Sequence, residues 1–89
     1  MISINEIQIV PIESKNGMVG FASVIVANAF YLGSIAIFTR PEGGYRLTYP
    51  TRKNTRQNLN FFYPINKEVA QQVELAVIKK YQEIVIDTN

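Results

Sequence analysis

Between Met18 and Phe38 the chain carries no charged side chain. A stretch of that length and polarity has two physical outcomes: a helix crossing a bilayer, or strands buried in a sheet. Its residues decide between them. Asn28 lies near the centre, Gly20, Ser23, Gly33 and Ser34 interrupt it, and Val, Ile, Phe and Tyr supply most of the rest. Those large residues favour a pleated surface. The expectation is two strands, 18–27 and 30–39, joined by a short turn at Ala27-Asn28-Ala29. Both alternating sets of side chains in each strand are apolar, as for strands covered on two faces.

The flanks extend these strands into a meander. Residues 2–12 read as a first strand whose apolar phase changes, Ile7 and Ile9 pointing one way and Val10 and Ile12 the other. A bulge near that point explains the change, and Pro11 suits a bulge or an edge. Asn16-Gly17 marks a tight hairpin. Pro41-Glu42-Gly43-Gly44 is a turn. Residues 45–49 alternate Tyr45, Leu47 and Tyr49 against Arg46 and Thr48. After a basic loop at 50–58, Leu59, Phe61 and Tyr63 alternate with Asn60 and Phe62 in a short fifth strand.

Pro64 closes the strand region. Asn66 is a good N-cap, Glu68 suits the first helical turn, and Val69, Val73, Ala76, Val77, Tyr81 and Ile84 recur at helical spacing. The fold class is therefore α+β: a small antiparallel β-sheet of four to five strands in a meander, followed by one C-terminal amphipathic helix. At 89 residues the chain reads as one domain, with sheet 2–63, basic loop 50–58 and helix 67–85. A chain this short is near the lower limit for a self-sufficient core. One helix covers one sheet face, so the second apolar face or a sheet edge calls for a partner, most simply a second copy.

Little in the chain supports catalysis. There is no histidine and no cysteine, which removes the commonest general base, the commonest metal ligand and all thiolate chemistry. The acids show no paired pattern, and Ser and Thr have no histidine to activate them. Lys79-Lys80 could offer an amine nucleophile, but cations near a helix C-terminus more simply answer its dipole. Gly43-Gly44 lacks the spacing of a phosphate loop. The reading is a non-enzyme, with no metal, cofactor or small-molecule substrate expected. The N-terminal "MISINEIQIVPIE" lacks the cationic start and apolar run of a secretory signal.

The net charge is only +2, but it is concentrated. Arg40, Arg46, Arg52, Lys53, Arg56 and Lys67 are accompanied in that span by a single acid, Glu42. Arg52, Lys53 and Arg56 suit phosphate groups, and Thr51, Asn54, Thr55, Gln57 and Asn58 can donate hydrogen bonds to phosphate or base edges. The candidate nucleic-acid-binding set is Arg52, Lys53, Arg56, Arg46, Thr51, Asn54 and Lys67. Tyr45, Tyr49, Phe61, Phe62 and Tyr63 would stack on unpaired bases if exposed, and would form core if not. A basic polar loop can equally be a solvated loop and nothing more.

The motifs "YPTRK" (Tyr49–Lys53) and "YPIN" (Tyr63–Asn66), in their order after an "NG" hairpin and two apolar strands, resemble the SpoVG family of bacterial sporulation and septation regulators. That family shows "MPS" before two basic residues, then "DGEF", then "HPIN" opening its C-terminal helix. The helix "KEVAQQVELAVIKKYQEI" is similar in length and pattern, and the likeness covers nearly the whole chain. Here "TRQNLN" stands for "DGEF", which removes acids and adds a cation. The resemblance implies a homodimer built through the strands, DNA binding with RNA binding in some members, a regulatory role and a cytoplasmic location. Arg52 and Lys53 match the family's basic pair.

The expectation is a dimeric nucleic-acid-binding regulatory protein, acting on DNA and possibly RNA, with no membrane partner and with its basic loop on the phosphate backbone. The alternative is a protein-interaction module using an exposed sheet edge.

Overall fold

A computed structural model describes residues 2–53 and 58–87. Four antiparallel strands, β1 (Ile4–Lys15), β2 (Met18–Val26), β3 (Phe30–Thr39) and β4 (Tyr45–Thr48), form one sheet in the order β1-β2-β3-β4. A short pair, β5 (Thr51–Lys53) and β6 (Asn58–Asn60), forms a second, two-stranded sheet, and α1 (Lys67–Asp87) closes the chain. The meander and the single C-terminal helix are those expected, and the charge-free stretch folds as β2 and β3. Among the described residues no helix is long and apolar enough to cross a membrane.

The tight connections follow the sequence chemistry. Lys15 pairs with Met18 across Asn16 (φ +54°) and Gly17 (φ +87°), two left-handed residues as a primed hairpin turn requires. Ala27 and Asn28 also have positive φ, and Ala29 N–H donates to Val26 O at 3.0 Å. This turn is tied to the start of the chain by Ala27 N–H to Ser3 O (2.7 Å) and Asn5 Nδ2 to Asn28 Oδ1 (3.0 Å).

Two bulges flank the central strand β2 at adjacent positions. On one side Glu6 and Ile7 together oppose Val24, and on the other Gly33 and Ser34 oppose Ser23. Glu6 (φ +48°) and Ser34 (φ +60°) take the left-handed conformation that this local geometry demands. Each bulge switches side-chain phase. Ile4 and Ile7 both reach the core from β1, as do Leu32 and Ile35 from β3, although strict alternation would put one member of each pair outside. The β1 ladder is thus broken twice, between Asn5 and Gln8 and again between Pro11 and Lys15. The second break lies beside Pro11, where the sequence places a bulge, and the first is one the sequence does not signal.

The core is one layer between sheet and helix. Val24, Ile35, Ile37 and Val77 are fully buried, and Ala22, Val26, Val73 and Tyr81 join them. Tyr81 meets Tyr45 edge-on at 5.2 Å between ring centres. It also lies over Gly20, where an added β-carbon would sit 3.1 Å from Val10 O and 3.6 Å from the Tyr81 ring. The tight contact is the one within the sheet: Gly20 leaves room for the Val10 carbonyl, whereas the Tyr81 ring would meet an added β-carbon at ordinary van der Waals distance. Gln72 Nε2 donates to Ile2 O, tying the helix to the first residues.

Among the described residues, no helix lies on the opposite face of the sheet. Register places Val10, Phe21 and Ala36 in one row across that face, and Ile25 beside Tyr31. Val10 and Tyr31 are 61% and 68% exposed. The second apolar face inferred from the sequence is thus real, and uncovered in the single chain.

Two expectations need correction. Phe61–Tyr63 lie outside any strand, and the strand nearby, β6, pairs with β5 instead of extending the main sheet. So the segment read as a loop from 50 to 58 is in part a β-ribbon. The helix runs on to Asp87 with no basic residue in its last turn. Lys79 and Lys80 therefore stop short of the C-terminus, beyond the reach of a dipole effect that fades within one turn.

Burial holds the Tyr81 hydroxyl neutral to higher pH than a free tyrosine, with the nearby Tyr45 adding to the effect. The unfolded chain then ionises first as pH rises past about 10. The stabilisation from this group is complete below that pH and is lost as pH climbs through the folded-state value. Urea midpoints measured from pH 8 to 11 should fall above pH 10, and Tyr81→Phe should flatten part of that fall.

Candidate nucleic-acid interface

Pro50 ends β4 and turns the chain out of the four-stranded sheet. The residues beyond it pair with one another: Thr51 with Asn60, Arg52 with Leu59 and Lys53 with Asn58. The ladder extends one step further through Phe61 N–H to Pro50 O at 2.9 Å. The result is a narrow β-ribbon attached to the body at its base. Residues 43–67 contain no acid, so the ribbon carries positive charge without internal compensation.

Aromatic packing fixes the base of the ribbon. Phe62 meets Tyr49 edge-on at 5.9 Å, and both rings pack against the core. Burial raises the Tyr49 hydroxyl above its ordinary value, and the Glu74 carboxylate on the helix adds to this. The residues on either side of Phe62 face outward: Phe61 is 67% exposed and Tyr63 61%. An apolar cleft of about 300 Å³ lies between this returning segment and the helix, lined among others by Tyr49, Phe62, Pro64, Val69 and Ile2.

The helix begins immediately afterwards. Asn66 Oδ1 accepts from Val69 N–H at 2.8 Å, and Asn66 O accepts from Ala70 N–H at 3.1 Å. Asn66 is the N-cap read from the sequence. Lys67 occupies the first helical position and is exposed, which adds positive charge to the positive end of the helix dipole.

The candidate residues fall on three elements. Thr51 and Arg52 are exposed on β5, and Lys53 ends that strand. Asn54 and Arg56, with Thr55 and Gln57, lie outside the described residues. Arg46 is exposed on β4, where its guanidinium carbon stacks 4.6 Å from the centre of the Phe38 ring. It belongs to the uncovered face of the main sheet, opposite Phe38 in the ladder, and the contact is a cation–π pair. Lys67 is on the helix. Arg40, counted in the basic stretch, is engaged elsewhere: its Nε–H donates to Tyr45 O at 3.0 Å and its Nη2 lies 3.9 Å from Glu74 Oε1. That ion pair is exposed and contributes little.

The five candidate aromatics divide. Tyr45 and Tyr49 are committed to Tyr81 and Phe62, whereas Phe61 and Tyr63 face solvent. The Arg46–Phe38 stack went unseen in the sequence; cross-strand register alone creates it, and no local motif marks it. No group of three or more His, Asp or Glu among the described residues is placed to hold a metal ion.

Comparison with known families places this architecture: the chain belongs to the SpoVG family, whose model matches residues 2–83. Individual relatives are phytoplasma proteins, each named "Putative septation protein SpoVG". The chain is 27% identical over 82 residues to that of Phytoplasma australiense, covering 91% of this chain and 84% of the relative. It is 28% identical to the Onion yellows phytoplasma protein, covering 91% and 82%.

Because Asn66 both caps α1 and follows the aromatic return, Asn66→Ala should lower stability by about 1 kcal/mol. Hydrogen exchange should show the loss as faster exchange of the Val69 and Ala70 amides.

Proposed function

We propose that this protein is a nucleic-acid-binding regulator that acts as a homodimer and performs no catalysis. The observation that carries the reading is the β5–β6 ribbon, which holds the Arg52 and Lys53 positions inside a span, residues 43–67, that contains no acid. Tyr49 and Phe62 anchor the base of the ribbon, and Arg52 on β5 is exposed to an approaching polyanion. Arg52 and Lys53 neutralise phosphates, and the Thr51 hydroxyl donates a hydrogen bond to a phosphate oxygen. Lys67 and the start of α1 supply further positive potential, and Arg46 supplies it on the sheet. Membership of the SpoVG family, with relatives named for septation, supports a regulatory role in a bacterial cell, and the cytoplasm is the compartment where such a target is met.

The uncovered face that carries Val10, Phe21 and Tyr31 supports self-association. An apolar face of this kind stays exposed only at a cost in water, and a second copy removes it. Two-fold symmetry then presents two ribbons to one nucleic acid. Sedimentation should give twice the chain mass, and Phe21→Glu on that face should give the monomer.

Fluorescence anisotropy with labelled oligonucleotides across a salt series tests the binding itself. The native chain should show a log–log salt slope corresponding to roughly three to six phosphate contacts. Arg52→Ala/Lys53→Ala should reduce that slope by about two contacts. Binding to no nucleic acid, even at low salt, sinks the reading and leaves the uncovered sheet face as a protein-docking surface.

A further inference from the structure

We propose that the ribbon takes unpaired strands, DNA or RNA, by stacking bases on Phe61 and Tyr63 while Arg52 holds a neighbouring phosphate. This rests on the reading of the ribbon as a nucleic-acid surface and assigns it a ligand class.

The argument starts from register. Arg52 lies directly opposite Leu59, so the two side chains share one side of the ribbon, about 5 Å apart. The Phe61 N–H to Pro50 O bond carries the ladder one residue pair further. Alternation then puts Phe61 on the same side as Leu59 and Arg52. Leu59 is itself exposed. One side of the ribbon therefore offers a cation, an aliphatic side chain and an aromatic ring in sequence, with Tyr63 two residues further along.

These rings are not spare core. Phe62, between them, turns inward onto Tyr49. With Phe62 so anchored, Phe61 and Tyr63 stay mostly exposed, Tyr63 at the edge of the apolar cleft beside the helix. Two flat apolar faces held toward water, beside Arg52 and in a span without acids, suit a ligand that is flat and apolar on its faces and anionic at its edge. An unpaired nucleotide strand has that combination. A duplex hides its base faces in its own stack, so it could use Arg52 but not the rings.

The test compares three probes of equal length at one salt concentration: an oligothymidylate, the same strand with abasic sites throughout, and a duplex. The abasic strand keeps the phosphates and removes the stacking partners. The native chain should bind the oligothymidylate at least tenfold more tightly than the abasic strand and the duplex. Phe61→Leu/Tyr63→Leu should remove most of that difference and leave the salt slope unchanged. Since the chain has no tryptophan, Phe61→Trp adds a single reporter whose emission should be quenched by the oligothymidylate and not by the abasic strand. If the double variant misfolds by circular dichroism, Phe61→Leu alone provides the comparison.

Equal affinity for the intact and abasic strands overturns the stacking proposal and leaves phosphate binding standing. So does a preference for duplex, or a double variant that alters sedimentation without altering affinity, which would assign the rings to a contact between copies. Failure of all three probes at low salt removes the nucleic-acid reading together with this one.

Discussion

Everything in this molecule follows from having one amphipathic helix for a sheet that is apolar on both faces. The helix covers the side of Val24, Ile35 and Ile37 with Val73, Val77 and Tyr81, and among the described residues no second element covers the other side. Hydrophobic burial scales with the area removed from water, so the uncovered face with Val10, Phe21 and Tyr31 is stabilisation still available to an association. Gly20 leaves room for the Val10 carbonyl of the neighbouring strand beneath Tyr81. The bulges beside β2 bring Ile4, Ile7, Leu32 and Ile35 to the same layer.

The same division separates the parts with structural and surface roles. Aromatic residues that reach the core layer are fixed there: Tyr45 on Tyr81, and Phe62 on Tyr49. Those adjoining them on the ribbon remain outside. A segment with strong positive charge is poorly suited to the layer between sheet and helix, where each ion would be desolvated. It is well suited to an excursion between the last sheet strand and the helix. Pro50 and Pro64, the two prolines bracketing that excursion, mark where the chain leaves the body and where it returns.

The strands of the main sheet were legible because their signals are local. Asn16-Gly17 announces its turn, Asn66 announces its helix, and a charge-free run with Asn28 at its centre announces two strands. The limits of β3 match the expectation at both ends, whereas β1 continues to Lys15. Of the two breaks in the β1 ladder, the one beyond Pro11 was legible from that proline and the change of apolar phase, whereas the one at Glu6 and Ile7 was not, since no proline or glycine marks it. The ribbon was misread as a loop because three-residue strands rich in Thr, Arg, Lys and Asn carry no hydrophobic alternation. Of the candidate site, the basic character of Arg52 and Lys53 could be read directly. Which aromatics face water could not.

The sequence by itself determined that there would be a β-meander with a C-terminal helix, that acids would be excluded from residues 43–67, and that neither histidine nor cysteine chemistry was available. These depend on residue identity, short-range spacing and turn chemistry. Tertiary structure alone decided that β5 and β6 would pair with each other and not with the sheet. It also decided that Arg46 would stack on Phe38, and that Phe61 and Tyr63 would be left outside while Phe62 turned in. Each of those outcomes depends on cross-strand register and on which face the single helix covers, and neither is signalled by residue identity or short-range spacing.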